Sequence, residues 1–171
     1  MRKLRGIKKG DDNYERALVY LARCRGEQQE YDAALKQLET YDKWVKDKKN
    51  DPGLNRKKIQ SREVSQTEAT YYKALYLAET DEHELTLATL TGFEDKFPRQ
   101  DKFFPLVNYR RLLSLLALEL LDQAEQLYLA VQKAVAEGKI LPMPAVSQFH
   151  LARGFLDAAE KTEDETAAAP L

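Results

Sequence analysis

Helix-breaking residues are sparse in this chain and fall at only a few points, which constrains its fold more than any other feature. Seven glycines and six prolines occur in 171 residues. Asp51-Pro52-Gly53, Phe97-Pro98, Gly138 and the pair Pro142 and Pro144 leave long uninterrupted stretches between them. Leu, Ala, Glu, Lys and Gln dominate those stretches, and these residues lose least on entering a helix. An all-α chain is expected, with a hydrophobic fraction of 43% that is ordinary for a packed core.

Apolar spacing divides the chain into six or seven helices arranged as antiparallel pairs. The first covers about 12–25, with Asp11, Asp12 or Asn13 as N-cap and Ala17, Leu18, Leu21 and Ala22 inward. A break at Gly26 leads to a second helix over 29–48 carrying Tyr31, Ala34, Leu35, Leu38, Tyr41, Trp44 and Val45. The third begins after Leu54 and runs to about 79, with Ile59, Val64, Tyr71, Ala74, Leu75 and Ala78 on its inner face. Thr80-Asp81 supplies a turn before a fourth helix that ends at Phe97-Pro98. Helices over about 103–118 and 121–137 follow, the latter stopped by Gly138. A last helix opens after Pro142 and Pro144 and reaches about 161, with Phe149, Leu151, Ala152, Phe155, Leu156 and Ala159 on it.

Charge is nearly balanced, at −1 overall, but unevenly placed. Residues 1–11 are basic through Arg2, Lys3, Arg5, Lys8 and Lys9, and so is the run Lys43, Lys46, Lys48, Lys49, Arg56, Lys57, Lys58 and Arg62. Residues 162–171 form an acidic and alanine-rich tail expected to be frayed. Cys24 is the sole cysteine, so an internal disulfide is excluded and a reducing, cytoplasmic setting is expected. Neither a signal peptide nor a membrane-spanning run is legible. The abrupt start and the ending Ala167-Ala168-Ala169-Pro170-Leu171 fit a piece of a longer chain.

Residue types at particular offsets add a resemblance. Leu18, Leu21 and Ala22, followed by Tyr31, Ala34, Leu38 and Tyr41, resemble the two helices of a tetratricopeptide repeat, and Tyr31-Asp32-Ala33-Ala34-Leu35 resembles the usual start of its helix B. A second unit has Tyr71 and Ala74, then Leu90, Phe93 and the closing Phe97-Pro98, with Thr86 where the small helix B residue is expected. A third has Tyr109, Leu112 and Leu115, then Leu121-Asp122-Gln123-Ala124-Glu125 and Tyr128. The resemblance implies a single domain over 12–161, interrupted by a basic insertion near 47–66. It further implies a short right-handed α-solenoid, with residues 144–161 as a closing helix or half of a fourth unit. Ala22, Ala34, Ala74 and Ala124 would let backbones approach while leucine and aromatic side chains fill the adjoining holes.

Catalytic chemistry finds little footing. His83 and His150 lie far apart, without Glu-x-x-His, His-x-x-x-His or Cys-x-x-Cys around them. Cys24 stands between Arg23 and Arg25, but adjacent helical residues point in different directions, so a buried small hydrophobe is the better reading. Gly138-Lys139 lacks the spacing of a phosphate-binding loop. No enzyme activity, cofactor or metal is expected.

What the family resemblance implies instead is a concave groove lined by helix A residues, here Arg16, Tyr20, Arg23, Glu27, Glu68, Tyr72, Glu79, Arg110 and Leu113. Tyrosine and arginine combine contact area with hydrogen bonding and make good interface anchors. Val19, Arg23 and Tyr72 stand where a chaperone-tail clamp would need Lys and Asn, so that ligand is not expected. The reading is an adaptor or scaffold within a larger complex, with Arg16, Arg23 and Arg110 favouring an acidic and hydrophobic partner segment and no role for a membrane. The alternative is a ribonucleoprotein subunit gripping RNA through Lys46, Lys48, Lys49, Arg56, Lys57, Lys58 and Arg62.

Overall fold

The computed structural model describes residues 13–48 and 55–168; the side chains of residues 57, 146, 158, 159 and 161–168 lie outside that description. The protein is all-helical among the described residues, with no strand. Its helices are α1 (Tyr14–Glu27), α2 (Tyr31–Asp47), α3 (Arg56–Glu79), α4 (His83–Leu90), the single turn α5 (Phe93–Lys96), α6 (Phe104–Ala117), α7 (Leu121–Ala136) and α8 (Ala145–Ala168). A 3-10 turn, Asp101–Phe103, leads into α6, where Pro105 sits in the first turn and needs no intrahelical donor.

One turn recurs three times. Three residues separate α1 from α2, α3 from α4, and α6 from α7, and the middle one has positive φ: Gln29 at 61°, Asp81 at 61° and Glu119 at 58°. The residue after it donates its N–H five residues back, Glu30 to Arg25 O (3.0 Å), Glu82 to Leu77 O (2.9 Å) and Leu120 to Leu115 O (2.9 Å). This Schellman geometry satisfies a terminal carbonyl that the helix leaves open. Glycine normally takes the left-handed position, and each non-glycine residue there costs about 1 kcal/mol.

Counting from these turns aligns the core. Seven residues earlier stand Ala22, Ala74 and Leu112, and five residues later Ala34, Thr86 and Ala124, all at 0% exposure. Twelve residues later come Tyr41, Phe93 and Val131, again buried. Thr86 therefore stands at the buried position that alanine takes in the other two pairs.

The chain divides after Glu82 into two compact units. In the first, α1, α2 and α3 pack on one another around Leu18, Val19, Ala22, Ala34, Leu38, Tyr41, Ala69 and Tyr76. In the second, α6 is central and packs on α4, α7 and α8, with Leu112, Leu115, Ala124, Val131, Met143 and Leu151 as the core. Arg111 on α6 forks onto Glu94 on α5 at 2.7 and 3.0 Å and also donates to Leu90 O, which fixes α5 against α6.

Several details depart from the sequence expectation. Gly26 lies inside α1, and the chain reverses at Gln29 instead. The first half of α3 does not turn Ile59 inward, since that residue is 54% exposed; Ser65, Thr67 and Ala69 are buried there instead. Their burial is tolerable because the Ser65 hydroxyl donates to Ser61 O (3.2 Å) and that of Thr67 to Glu63 O (2.8 Å). Residues 56–66 form the opening turns of α3, the long third helix that the sequence suggested. The fourth helix is interrupted at Gly92, whose φ of 65° no α-helix accommodates. α8 continues to Ala168, past the end near 161 that the sequence suggested, so residues 162–168 are helical. The expected breaker Asp51-Pro52-Gly53 and the basic residues of 1–11 lie outside the described residues.

Candidate partner-binding cleft

Helical spacing brings the site together. On α1, Arg23 and Glu27 are four apart; on α3, Tyr72, Tyr76 and Glu79 follow one another at four and three. Where these faces meet, with Tyr31 from the start of α2, they enclose an open cleft of about 370 Å³, lined also by Gly26 and Leu75. Four residues of the sequence-derived groove therefore converge: Arg23, Glu27, Tyr72 and Glu79.

The cleft has an aromatic wall. Tyr76 stacks between Tyr31 (6.0 Å between centroids, 28° between planes) and Tyr72 (6.0 Å, 20°). Tyr71 meets Tyr72 edge-on at 5.5 Å. The wall can close up because Gly26, itself buried, faces the Tyr76 ring, and a Cβ at that position would penetrate the ring. Arg23 caps the wall: its guanidinium lies 5.9 Å from the Tyr72 ring centre, while its Nε donates to Glu27 Oε1 at 2.9 Å. Burial pushes the Tyr72 phenol above its ordinary pKa, with Arg23 opposing, and burial raises Tyr76 further. Both rings are held neutral as hydrogen-bonding, apolar contact surfaces.

The remaining groove candidates are placed differently. Tyr20 is 53% exposed and adds, after Glu27 and Tyr72, to the upward shift of the Arg23 pKa. Glu68 is half-buried and acts on Tyr72 in the same long-range way. Arg16 is exposed on α1. Arg110 and Leu113 belong to the second unit, where both are half-buried and Leu113 packs on the core. Sequence reasoning missed Gly26, Tyr31, Leu75 and Tyr76 as lining residues. The signal was the small-residue pair Ala22 and Gly26, one turn apart, which marks a face that another element approaches closely.

The basic candidates differ in exposure among the described residues. Arg62 turns inward: its Nε meets Glu15 Oε2 at 3.2 Å, its Nη1 donates to Lys48 O at 3.1 Å, and it lies 5.3 Å from the Trp44 ring centre. It ties α3 to α1 and to the end of α2. Lys46, Lys48, Arg56 and Lys58 are exposed, whereas Lys49 and the side chain of Lys57 lie outside the described residues.

The isolated reactive groups stay isolated. His83 Nδ1 is 3.4 Å from Ser114 Oγ, His150 Nδ1 is 3.2 Å from Tyr109 Oη, and Cys24 is half-buried. Among the described residues no three His, Cys, Asp or Glu side chains are grouped as metal ligands, and no helix is long and apolar enough to cross a membrane. Comparison with family models, curated proteins and solved structures returns no match.

Proposed function

We propose that this chain is a non-enzymatic protein-interaction module, built on tetratricopeptide-like helix pairs, that receives a segment of another protein in the α1–α3 cleft. The observation that supports this reading best is the convergence of Arg23, Glu27, Tyr72 and Glu79 on a tyrosine-walled opening in the first unit. Stacked tyrosines present large, rigid contact area with hydroxyl groups at its edge, at little cost in side-chain entropy. The recurring three-residue turn and the aligned small residues fit repeat construction.

Partner chemistry follows from the charges around the wall. Arg23 is already matched by Glu27, and Glu79 adds a further carboxylate. The favoured ligand is an apolar or aromatic side chain laid on the tyrosines, with Arg23 and Glu27 at its edge to meet a polar or charged neighbour. Selection from a peptide library tests this. Peptides recovered by the wild type and lost by Tyr72→Ala support the cleft, and an aromatic or apolar consensus supports its chemistry. Recovery of the same peptides by Tyr72→Ala and Arg23→Glu, with unchanged helical circular dichroism, refutes it.

A further inference from the structure

Exposed apolar side chains are concentrated in one part of the second unit. Among the described residues eight large hydrophobic side chains are exposed, and five of them, Leu120, Leu129, Leu141, Phe149 and Leu156, fall in and around α7 and α8. These helices border an open groove of about 500 Å³ whose walls include Tyr128, Leu129, Leu151 and Phe155. At 100° per residue, the side of α8 that packs on the core carries Ser147, Leu151 and Gly154, and the groove side carries Ala152 and Phe155. Leu156 and Phe149 continue the same apolar arc past the groove, at 63% and 66% exposure. The apolar arc of α8 is thus wider than the unit covers, the mark of an interaction surface.

The charge pattern on α7 specifies what covers it. Leu129, 58% exposed, is flanked one turn earlier by Glu125 and one turn later by Lys133, both exposed. A helix reading acid–leucine–base at equal spacing is complementary to itself when run antiparallel. With a two-fold axis at Leu129, each Glu125 stands level with the other copy's Lys133, and the two leucines meet. Self-complementarity of one patch is the requirement for an isologous dimer. A partner of uniform charge would satisfy one end of this pattern and oppose the other.

We infer that the α7–α8 face associates with a second copy of this chain, the α7 of each copy lying antiparallel in the α7–α8 groove of the other. The incoming helix then meets Tyr128, Leu151 and Phe155 at the groove floor, with Asp122, Glu125 and Gln148 along its walls and Phe149 and Leu156 beyond it. This surface is independent of the α1–α3 cleft.

The test is sedimentation of the full chain across a concentration series. The wild type is expected to sediment as a dimer. Leu129→Asp, at an exposed position where folding is not at stake, is expected to weaken association at least about tenfold. Glu125→Lys should weaken it too, and adding Lys133→Glu to that variant should restore it. A wild type that is monomeric throughout overturns the proposal. Unchanged association of Leu129→Asp also overturns it, as does a charge-swapped double variant no better than Glu125→Lys. Tyr72→Ala should leave the dimer intact, so failure of either surface is read separately.

Discussion

Alanine at position 26 sets two effects of opposite sign against each other. In a helix interior, Gly→Ala normally stabilises by about 1 kcal/mol, because the unfolded chain loses freedom and the helix gains propensity. Gly26 lies in the last turn of α1, so propensity alone predicts a gain of at most that size. Against it stands the Tyr76 ring, which occupies the space of the new methyl group. Tyr76 is 3% exposed and in ring contact with both Tyr31 and Tyr72, so shifting it disturbs both contacts. Overpacking of this kind costs about 1–3 kcal/mol, and disturbing two stacked pairs adds about 0.5–1.5 kcal/mol each. After subtracting the propensity gain, a net loss of about 1–5 kcal/mol is expected. Urea unfolding of the wild type, Gly26→Ala, Tyr76→Ala and the double variant measures it. The double variant should be less destabilised than the sum of the singles, since the clash is then absent. A Gly26→Ala protein more stable than wild type would refute the packing argument.

Other outcomes follow from the same structure. Arg62→Met should destabilise by about 3 kcal/mol, because the Glu15 carboxylate, 6% exposed, is left buried without its partner; urea midpoints check this. Ala34→Leu and Ala124→Leu should each cost about 1–3 kcal/mol or prevent folding, as both lie at fully closed helix contacts. Tyr41, Tyr72 and Tyr76 all have pKa values raised above 10.0, chiefly by burial. Their neutral forms are favoured in the folded state, so this stabilisation is complete below pH 10 and is lost as pH climbs above it. Phenolate absorbance should show Tyr41, Tyr72 and Tyr76 ionising together with unfolding.

How much of this was legible in the sequence differs between elements. The starts of α2 and α7 were readable because apolar spacing, an alanine at the close contact and a preceding turn all agree. The reversals were less so: Gln29, Asp81 and Glu119 adopt the left-handed conformation that glycine usually marks, so Gly26 attracted the break instead. The inner face of early α3 was obscured because Ser65 and Thr67 read as polar until their hydroxyls are seen donating to their own helix. In the cleft, the family resemblance brought out Tyr72 and Arg23, but Tyr31 read as an ordinary helix-packing residue and nothing in the pattern singled out Tyr76. Only the contact between α1 and α3 shows that they line an opening. Arg62 shows the reverse, a residue in a basic run that serves an internal ion pair, which sequence charge cannot distinguish from a solvated one.

Affinity capture of bound macromolecules by the wild type and by Tyr72→Ala, each with and without nuclease, tests the interaction reading most directly. A protein retained by the wild type after nuclease treatment, lost by Tyr72→Ala, and bound by the purified wild-type chain is the expected result. Retention equal in both proteins and abolished by nuclease would contradict it and point to RNA held by the exposed lysines.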